Sequence, residues 1–279
     1  MGRNENIAVF EDSMAMCRTD STLSEAVKAS NAAQRMIPET EKYELTAAPG
    51  NVSAQVVVSR KRTLEAASGY ARDGKKVCVL NFASASNPGG GVKNGSSAQE
   101  EAICRCSTLY RSLIQPAMWD SFYGPHRAAH DPLHNDDCIY TPGVVVFKTD
   151  TDFPARMPAA DWYSVNVLTC AAPNLRESPT NSMNYDGNTA AKITDIKLQQ
   201  LHEKRMRRIL TIAAQEGNDT VILGAFGCGA FRNPPEVVAR AVKNVIGEFS
   251  RYFDTIEFAV YCSPRDDSNF RVFERMLKK

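Results

Sequence analysis

The adjacent carboxylates Glu100 and Glu101 are the residues of this sequence best suited to chemistry. Gln99 precedes them, and three consecutive glycines at 89–91 come seven residues earlier. Because an apolar run at 77–80 leads into the glycines, the pattern predicts a strand, a glycine loop and then the start of a helix. Such a loop can hold a phosphate through its backbone N–H groups. Two carboxylates would repel a phosphate, but they would suit acid–base chemistry on a sugar.

A second glycine-rich turn follows the predicted buried strand 220–226. The loop 227–231 lacks the Lys-Ser/Thr ending of a P-loop, and the next predicted strand, 256–262, does not end in the acidic residue typical of a dinucleotide site. Two glycine loops in one α/β sheet can meet at the carboxyl ends of its strands. We therefore expect a diphosphate between them, unless the second turn only packs a helix against its strand.

The predicted strands and helices alternate along the chain. The predicted helices are 5–36, 63–71, 99–113, 190–215, 235–249 and 269–278, and the predicted strands are 54–60, 76–82, 138–147, 162–170, 220–226 and 256–262. Residues 115–137 are expected to be irregular, and 173–188 to form a polar loop. Alternation of this kind indicates an α/β layered domain. With no repeat and no linker, we expect one domain over residues 1–279, with an accessory helical segment at 1–50.

Composition excludes several broad classes of function. The 33 Lys and Arg residues nearly balance the 32 Asp and Glu residues, which argues against general binding to nucleic acid or to a membrane surface. A polyanion must therefore be recognised in a pocket. No C-x-x-C pair occurs among the eight cysteines, and Cys78, Cys170 and Cys262 lie in apolar runs, as reduced core cysteines do. Since no signal core and no spanning segment is found, we expect a cytoplasmic protein.

The two loops together make the sequence similar to the bacterial-type poly(ADP-ribose) glycohydrolases, enzymes built on the macrodomain fold. The resemblance rests on GGG, seven residues and then QEE at 89–101, on the lead-in NFASASNP at 81–88, and on GAFGCGAF-x-NP at 224–234. It covers the chain from about residue 60 onward, and the N-terminal helices match less closely. The fold that it implies is a macrodomain-like three-layer α/β/α arrangement with a mixed central sheet and an N-terminal helical extension.

The resemblance also implies roles for individual residues. Glu101 would be the catalytic general acid and base, Glu100 would hold ribose hydroxyls beside the scissile bond, and Asn87 would contact the terminal ribose. The loop 227–231 would wrap the diphosphate. The other residues expected to bind substrate are Gly89, Gly90, Gly91, Gln99, Gly227, Cys228, Gly229, Ala230 and Phe231. A second interpretation of Glu100 stays open, because Ser97-x-x-Glu100 fits a capping box at a helix start.

The activity that the resemblance implies is cleavage of ribose–ribose O-glycosidic bonds from the free end of poly(ADP-ribose), with release of ADP-ribose. No cofactor and no metal are expected. The expected partners are poly(ADP-ribose) or ADP-ribosylated proteins, without a membrane, and the chain is expected to act as a monomer. Two alternatives remain: a macrodomain that binds ADP-ribose without cleaving it, and a hydrolase that removes single ADP-ribose units.

Two further patterns have simpler interpretations. His126, His130 and His134 have the spacing of metal ligands on a helix, but Pro132 would break that helix, so a polar surface loop is favoured. The basic stretch 204–208 could touch a long polymer, although a solvated helix face is the favoured interpretation.

Overall fold

A mixed β-sheet forms the centre of the protein. The structure is a computed structural model that describes residues 2–43, 45 and 53–278. Within these residues the strands are β1 (Arg35–Ile37), β2 (Gln55–Ser59), β3 (Val77–Ala83), β4 (Cys138–Val146), β5 (Tyr163–Ala171), β6 (Thr220–Leu223) and β7 (Thr255–Ala259). They form one seven-stranded sheet in the order β1-β4-β5-β3-β6-β7-β2. Neighbours from β5 to β2 are parallel, whereas β4 is antiparallel to both β5 and β1.

Helices cover both faces of this sheet. In the described ranges they are α1 (Arg3–Thr19), α2 (Ser21–Ala33), α3 (Thr63–Arg72), α4 (Gln99–Cys106), α5 (Leu109–Leu113), α6 (Pro116–Met118), α7 (Gly124–Ala129), α8 (Asp195–Gln215), α9 (Pro235–Ile246) and α10 (Ser268–Leu277). Helices α1 to α5 contribute to the apolar core on one face, and α8 to α10 to the core on the other. The expected three-layer α/β/α architecture with a mixed sheet is confirmed. None of the described helices has the length and apolar character needed to cross a membrane.

Strand β3 shows why the sheet carries a core on each side. Val77 and Val79 belong to one apolar cluster, whereas Cys78 and Leu80 belong to the other, and all four are at most 1 % exposed. Successive side chains of a strand point to opposite faces, so a strand buried on both sides is apolar throughout. The strand bonds to β5 on one edge and to β6 on the other. It is the central strand, and the glycine loop begins at its carboxyl end.

Three predictions about the elements are wrong. The predicted helix 5–36 is two helices that meet at Asp20, whose side chain accepts the Leu23 N–H, and its end forms β1, which pairs with β4. The predicted helix 99–113 is divided after Cys106, because Thr108 bonds through its backbone and hydroxyl to Val145. The stretch 115–137, expected to be irregular, contains α6, a π-helical turn at Trp119–Tyr123 and α7.

The predicted accessory segment at 1–50 is helical only in part. Helices α1 and α2 confirm its first two thirds, while Arg35–Ile37 joins the central sheet as β1. Residues 1, 44 and 46–50 of that prediction lie outside the described residues.

Candidate active site

A cavity of about 460 Å³ opens along the carboxyl ends of the five parallel strands. Each of these strands, or the turn that follows it, contributes to the lining: Ala172 after β5, Ala83 and Ser84 at β3, Ala225 and Gly227 after β6, Val260 and Tyr261 after β7, and Arg62 after β2. Ligands of open α/β sheets bind at this edge. At about 4.8 Å between strands, the row from β5 to β2 spans about 19 Å, which suits an elongated ligand.

Gln99 attaches the start of α4 to β3. Its Oε1 accepts a hydrogen bond from the Phe82 N–H at 2.9 Å, and its Nε2 donates to the Leu80 carbonyl and to the Thr63 hydroxyl. The side chain thus contacts backbone groups of the strand that leads into the glycine loop. This fixes where the next two residues, Glu100 and Glu101, stand relative to that loop.

Glu101 lies buried against the first glycine loop. Its side chain lines the cavity and is 7 % exposed. One carboxyl oxygen accepts the Gly91 N–H at 2.9 Å. Burial raises the pKa of Glu101, while the Gly91 N–H and the charge of Arg105 act in the opposite direction. A carboxyl with a raised pKa can stay protonated long enough to act as a general acid.

Glu100 is held beside it by a different set of donors. One oxygen accepts the Ser84 N–H at 2.8 Å, and the other accepts Nδ2 of Asn81 at 3.2 Å. Burial, and then the charge of Glu101, raise the pKa of Glu100 well above its ordinary value. The capping-box interpretation is wrong, because α4 begins after Ala98 without any side-chain cap and the Glu100 carboxylate bonds to the β3 end instead.

The second glycine loop is shaped by Asn233. Its Nδ2 donates to the carbonyls of Gly227 and Pro173 at 3.0 and 2.7 Å, and its Oδ1 lies 2.9 Å from Nε2 of His202. Because the amide nitrogen is used as a donor, Oδ1 must accept, so His202 carries its proton on Nε2. Burial lowers the pKa of His202 to about 4, which keeps the ring neutral. Gly227 has a φ of +79° and leaves no room for a Cβ atom beside Asn233.

The structure brings most of the predicted site residues to one cavity. Those that line it are Gly90, Gln99, Glu100, Glu101, Gly227, Gly229, Ala230 and Phe231. Those that do not line it are Asn87, Gly89, Gly91 and Cys228. Asn87 donates to the Gly90 carbonyl, and Gly91 donates to Glu101. Asn87 therefore contacts the first glycine loop, and Gly91 contacts the carboxylate of Glu101.

Several cavity residues were not identified from the sequence. Arg105 is 4 % exposed, lies one turn after Glu101, donates to the Ser96 carbonyl and leaves its Nε without a hydrogen-bond partner. Its spacing of four residues from Glu101 on a helix could have indicated it. Asn6, Asp150 and Asn184 also line the cavity. They come from distant segments and have no local sequence signal.

The expected polar surface loop is wrong for two of the three histidines, because only His130 is exposed. His126 and His134 are both 7 % exposed. His126 contacts the Phe122 carbonyl and Asn135, and His134 contacts the Ala172 carbonyl and lies 3.4 Å from Asp186. In the part of the chain that the structure describes, no group of three His, Cys, Asp or Glu side chains is arranged to hold a metal ion.

The basic stretch 204–208 is exposed only in part: the side chains of Lys204 and Arg207 are 67 % and 44 % exposed, as expected for a solvated face. Arg205 is 1 % exposed and pairs with Asp136 at 2.8 Å, so a solvated face is the wrong interpretation for this residue. Lys204 pairs with the same carboxylate. Arg207 pairs with Glu248, and the Arg208 guanidinium donates to the carbonyls of Asp136, just before β4, of Ile37, the last residue of β1, and of Glu41.

Comparison with known proteins agrees with this geometry. The family model for the catalytic domain of microbial-type PARG matches residues 6–149 and therefore includes most of α1 and all of α2. No curated protein matches the chain. The poly(ADP-ribose) glycohydrolase (PARG) from Thermomonospora curvata is 27 % identical with a TM-score of 0.83, and the match covers 99 % of this chain and 100 % of that one.

Two solved complexes also match. The T. curvata enzyme bound to the inhibitor ADP-HPD is 27 % identical, with a TM-score of 0.79 and coverage of 98 % of this chain and 99 % of that one. The enzyme from Deinococcus radiodurans in complex with ADP-ribose is 30 % identical, with a TM-score of 0.74 and coverage of 90 % of this chain and 96 % of that one. The chain therefore belongs to the family of microbial-type poly(ADP-ribose) glycohydrolases.

Proposed function

We propose that this protein hydrolyses poly(ADP-ribose) from the free end and releases ADP-ribose, with Glu101 as the general acid and base. The observation that carries the proposal is the position of Glu101, a buried carboxyl that lines the cavity and bonds to the first glycine loop. Family membership supports the same activity. One seven-stranded sheet through the described residues supports a single catalytic domain.

The chemistry requires a proton on the leaving ribose oxygen and stabilisation of an oxocarbenium-like centre. Glu101, with its raised pKa, donates that proton and then, as a carboxylate, accepts one from the attacking water. Its bond from the Gly91 N–H stabilises the carboxylate that forms after the first step.

Glu100 holds the ribose in place for this step. Its oxygens are fixed by the Ser84 N–H and Asn81, and its raised pKa favours a protonated carboxyl that can donate to a ribose hydroxyl. The loop 227–231 offers backbone N–H groups to the diphosphate, with Phe231 beside the terminal ribose. Backbone N–H groups in such loops suit phosphate oxygens and offset their negative charge. The proposed reaction therefore needs no cofactor to hold the diphosphate.

The far end of the cavity supports action on a chain end. Tyr261 follows β7 and Arg62 follows β2, two and three strands from β3, or about 10 and 14 Å away. The Arg62 guanidinium lies 3.8 Å from the centre of the Tyr261 ring, and both side chains bond to Asp152. In this proposal the cluster bounds the end of the cavity from which a continuing polymer would have to leave. An internal unit of the polymer would therefore fit poorly.

Glu101→Gln tests the proposal. Because the amide keeps the shape but cannot donate and accept the proton, turnover of polymer should fall by about 10²–10⁴-fold, while ADP-ribose binding, measured by calorimetry, is retained. Glu11→Gln is the matched control, since Glu11 is exposed on α1. Binding without turnover by the wild type would show a binding module instead. Faster release from singly modified proteins than from polymer would favour the mono-ADP-ribosyl hydrolase.

A further inference from the structure

A second cavity, of about 400 Å³, adjoins the first one at Glu101. The residues that line both cavities are Asn6, Ser97, Ala98, Glu101, Asn184 and Ala230. Arg3, Arg176 and Asn181 line only the second one. The acid–base group of a glycosidase stands between the sugar that is cleaved off and the leaving group. If the first cavity holds the terminal ADP-ribose, the second, which adjoins it at Glu101, offers space for the leaving group.

The charges of the second cavity differ from those of the first. Its charged side chains are Arg3, Arg176 and Glu101, so the cations outnumber the carboxylate. The first cavity contains four carboxylates, namely Glu100, Glu101, Asp150 and Asp152, and two arginines, Arg62 and Arg105. The side chains of the second cavity therefore attract a dianionic diphosphate, whereas the first cavity is proposed to hold its own diphosphate through backbone N–H groups.

Arg176 is fixed in place and still has free donors. Its Nε donates to Asn174 at 3.1 Å and its Nη2 to the Pro179 carbonyl at 2.6 Å, which leaves three of its five N–H groups. The acidic group that acts on it through space is Asp186. That carboxylate already accepts from Ser86 and Asn174.

Arg3 is placed at the cavity by the packing of α1 on the first loop. Asn6 donates to the Gly95 carbonyl at 2.9 Å, and a Cβ atom at Gly95 would lie 2.2 Å from the Arg3 carbonyl oxygen. Glu5, on the same turn, accepts the Gly2 N–H. Among the described residues, no ion pair includes Arg3 or Arg176.

We propose that this second cavity binds the leaving ADP-ribose unit, with Arg3 and Arg176 on its diphosphate. The proposal rests on the proposed function, because it needs the bond to be cleaved at Glu101. Asn181 and Asn184 supply amides for hydroxyl or base edges of the same unit. The site makes polymer a better substrate than an ADP-riboside whose leaving group carries no phosphate. It also gives α1 a role in the reaction.

The test compares two substrates that share the same ADP-ribose unit and differ in the leaving group. One is poly(ADP-ribose), and the other is an aryl ADP-riboside with a neutral phenol as leaving group. In Arg3→Ala and in Arg176→Gln, the ratio of kcat/KM for polymer to that for the aryl substrate should fall about tenfold, as expected for the loss of a charge-assisted hydrogen bond. The wild-type ratio should also fall as salt is raised.

Arg18→Ala is the matched control, because Arg18 is an exposed arginine at the other end of α1, and its ratio should equal that of the wild type. An unchanged ratio in both cavity variants would overturn the proposal, and so would equal losses on both substrates, which would indicate a distorted loop. If the wild type cleaved neither substrate, the proposed function would fail. A wild type that cleaves both, with unaltered ratios in the variants, would leave the function standing without this site.

Discussion

Gln99 donates a hydrogen bond from Nε2 to the carbonyl oxygen of Leu80 at 2.7 Å, and this joins the first residue of α4 to the strand that precedes the glycine loop. The loop between them is 15 residues long in sequence (84–98), yet its two ends are held together. The distance between the loop and Glu101 is therefore set by a side chain that performs no proton transfer itself.

Replacing Gln99 with alanine should lower both stability and activity. The change leaves the Phe82 N–H and the Leu80 carbonyl without these partners, and an unsatisfied buried backbone group costs about 1–3 kcal/mol. We expect the free energy of unfolding in urea to fall by about that amount. Since the carboxylates lose their fixed position, kcat should fall more than KM changes.

Gln99→Glu separates the hydrogen bond that Gln99 accepts from Phe82 from the one that it donates to Leu80. A glutamate still accepts from Phe82 but cannot donate to Leu80, so its kcat should lie between those of wild type and alanine variant. Gln200→Ala, at an exposed position of α8, is the control. A kcat for Gln99→Ala equal to that of the control would show that Gln99 does not position the site.

The core of the site could be predicted from the sequence because its parts are neighbours along the chain. The strand, the three glycines and the QEE triplet span only 25 residues (77–101), and each local signal agrees with the others. The general outline of the α/β layers followed in the same way from alternating apolar segments. The capping-box interpretation of Glu100 failed because the Ser84 N–H and Asn81, from the β3 end, bind the carboxylate.

The rest of the site depends on packing between distant segments. Asn6 reaches the cavity because α1 packs on Gly95, and Asn184 reaches it through a bond to Ser84. Strand β1 has only three residues and exists because the edge of β4 offers unpaired backbone groups. None of these three long-range contacts produces a periodic pattern within its own segment, so local sequence reasoning cannot find them.

Gly90→Ala should abolish most of the activity. Gly90 has a φ of +56°, and a Cβ atom there would lie 2.6 Å from Oε1 of Glu101 and 3.1 Å from Oε2 of Glu100. The carboxylates would have to move, so we expect kcat/KM on polymer to fall by about 10²-fold, as for misplaced catalytic groups.

Gly69→Ala is the control, because Gly69 lies within α3 with open space around it. That change should raise stability by about 0.5–1 kcal/mol. Full activity in Gly90→Ala would contradict the close contact.

Asn233→Ala should weaken ADP-ribose binding more than it slows the chemical step. The change removes the bonds that hold the Gly227 and Pro173 carbonyls and leaves Nε2 of His202 without its acceptor. Because the second glycine loop is expected to hold the diphosphate, we expect the Kd for ADP-ribose to rise about tenfold, equivalent to about 1.4 kcal/mol. Calorimetric titration measures this directly. Asn244→Ala, at an exposed position of α9, should leave the Kd unchanged, and an equal Kd in both variants would show that Asn233 does not shape the binding loop.

Glu100→Gln should stabilise the protein at alkaline pH and not at acid pH. The pKa of Glu100 is raised well above its ordinary value by burial and by Glu101, so the folded protein holds this proton to a higher pH than the unfolded chain does. Stability is therefore full below the unfolded pKa and is lost as the pH rises through the folded pKa. Glutamine has no such proton, and each unit of pKa difference corresponds to about 1.4 kcal/mol.

We expect the Tm of Glu100→Gln to exceed that of wild type at pH 8 and to converge with it near pH 4, as followed by thermal denaturation at several pH values. The control Glu11→Gln should track the wild type throughout. A Tm difference between Glu100→Gln and wild type that stays constant from pH 4 to pH 8 would mean that Glu100 is not a carboxyl destabilised by burial.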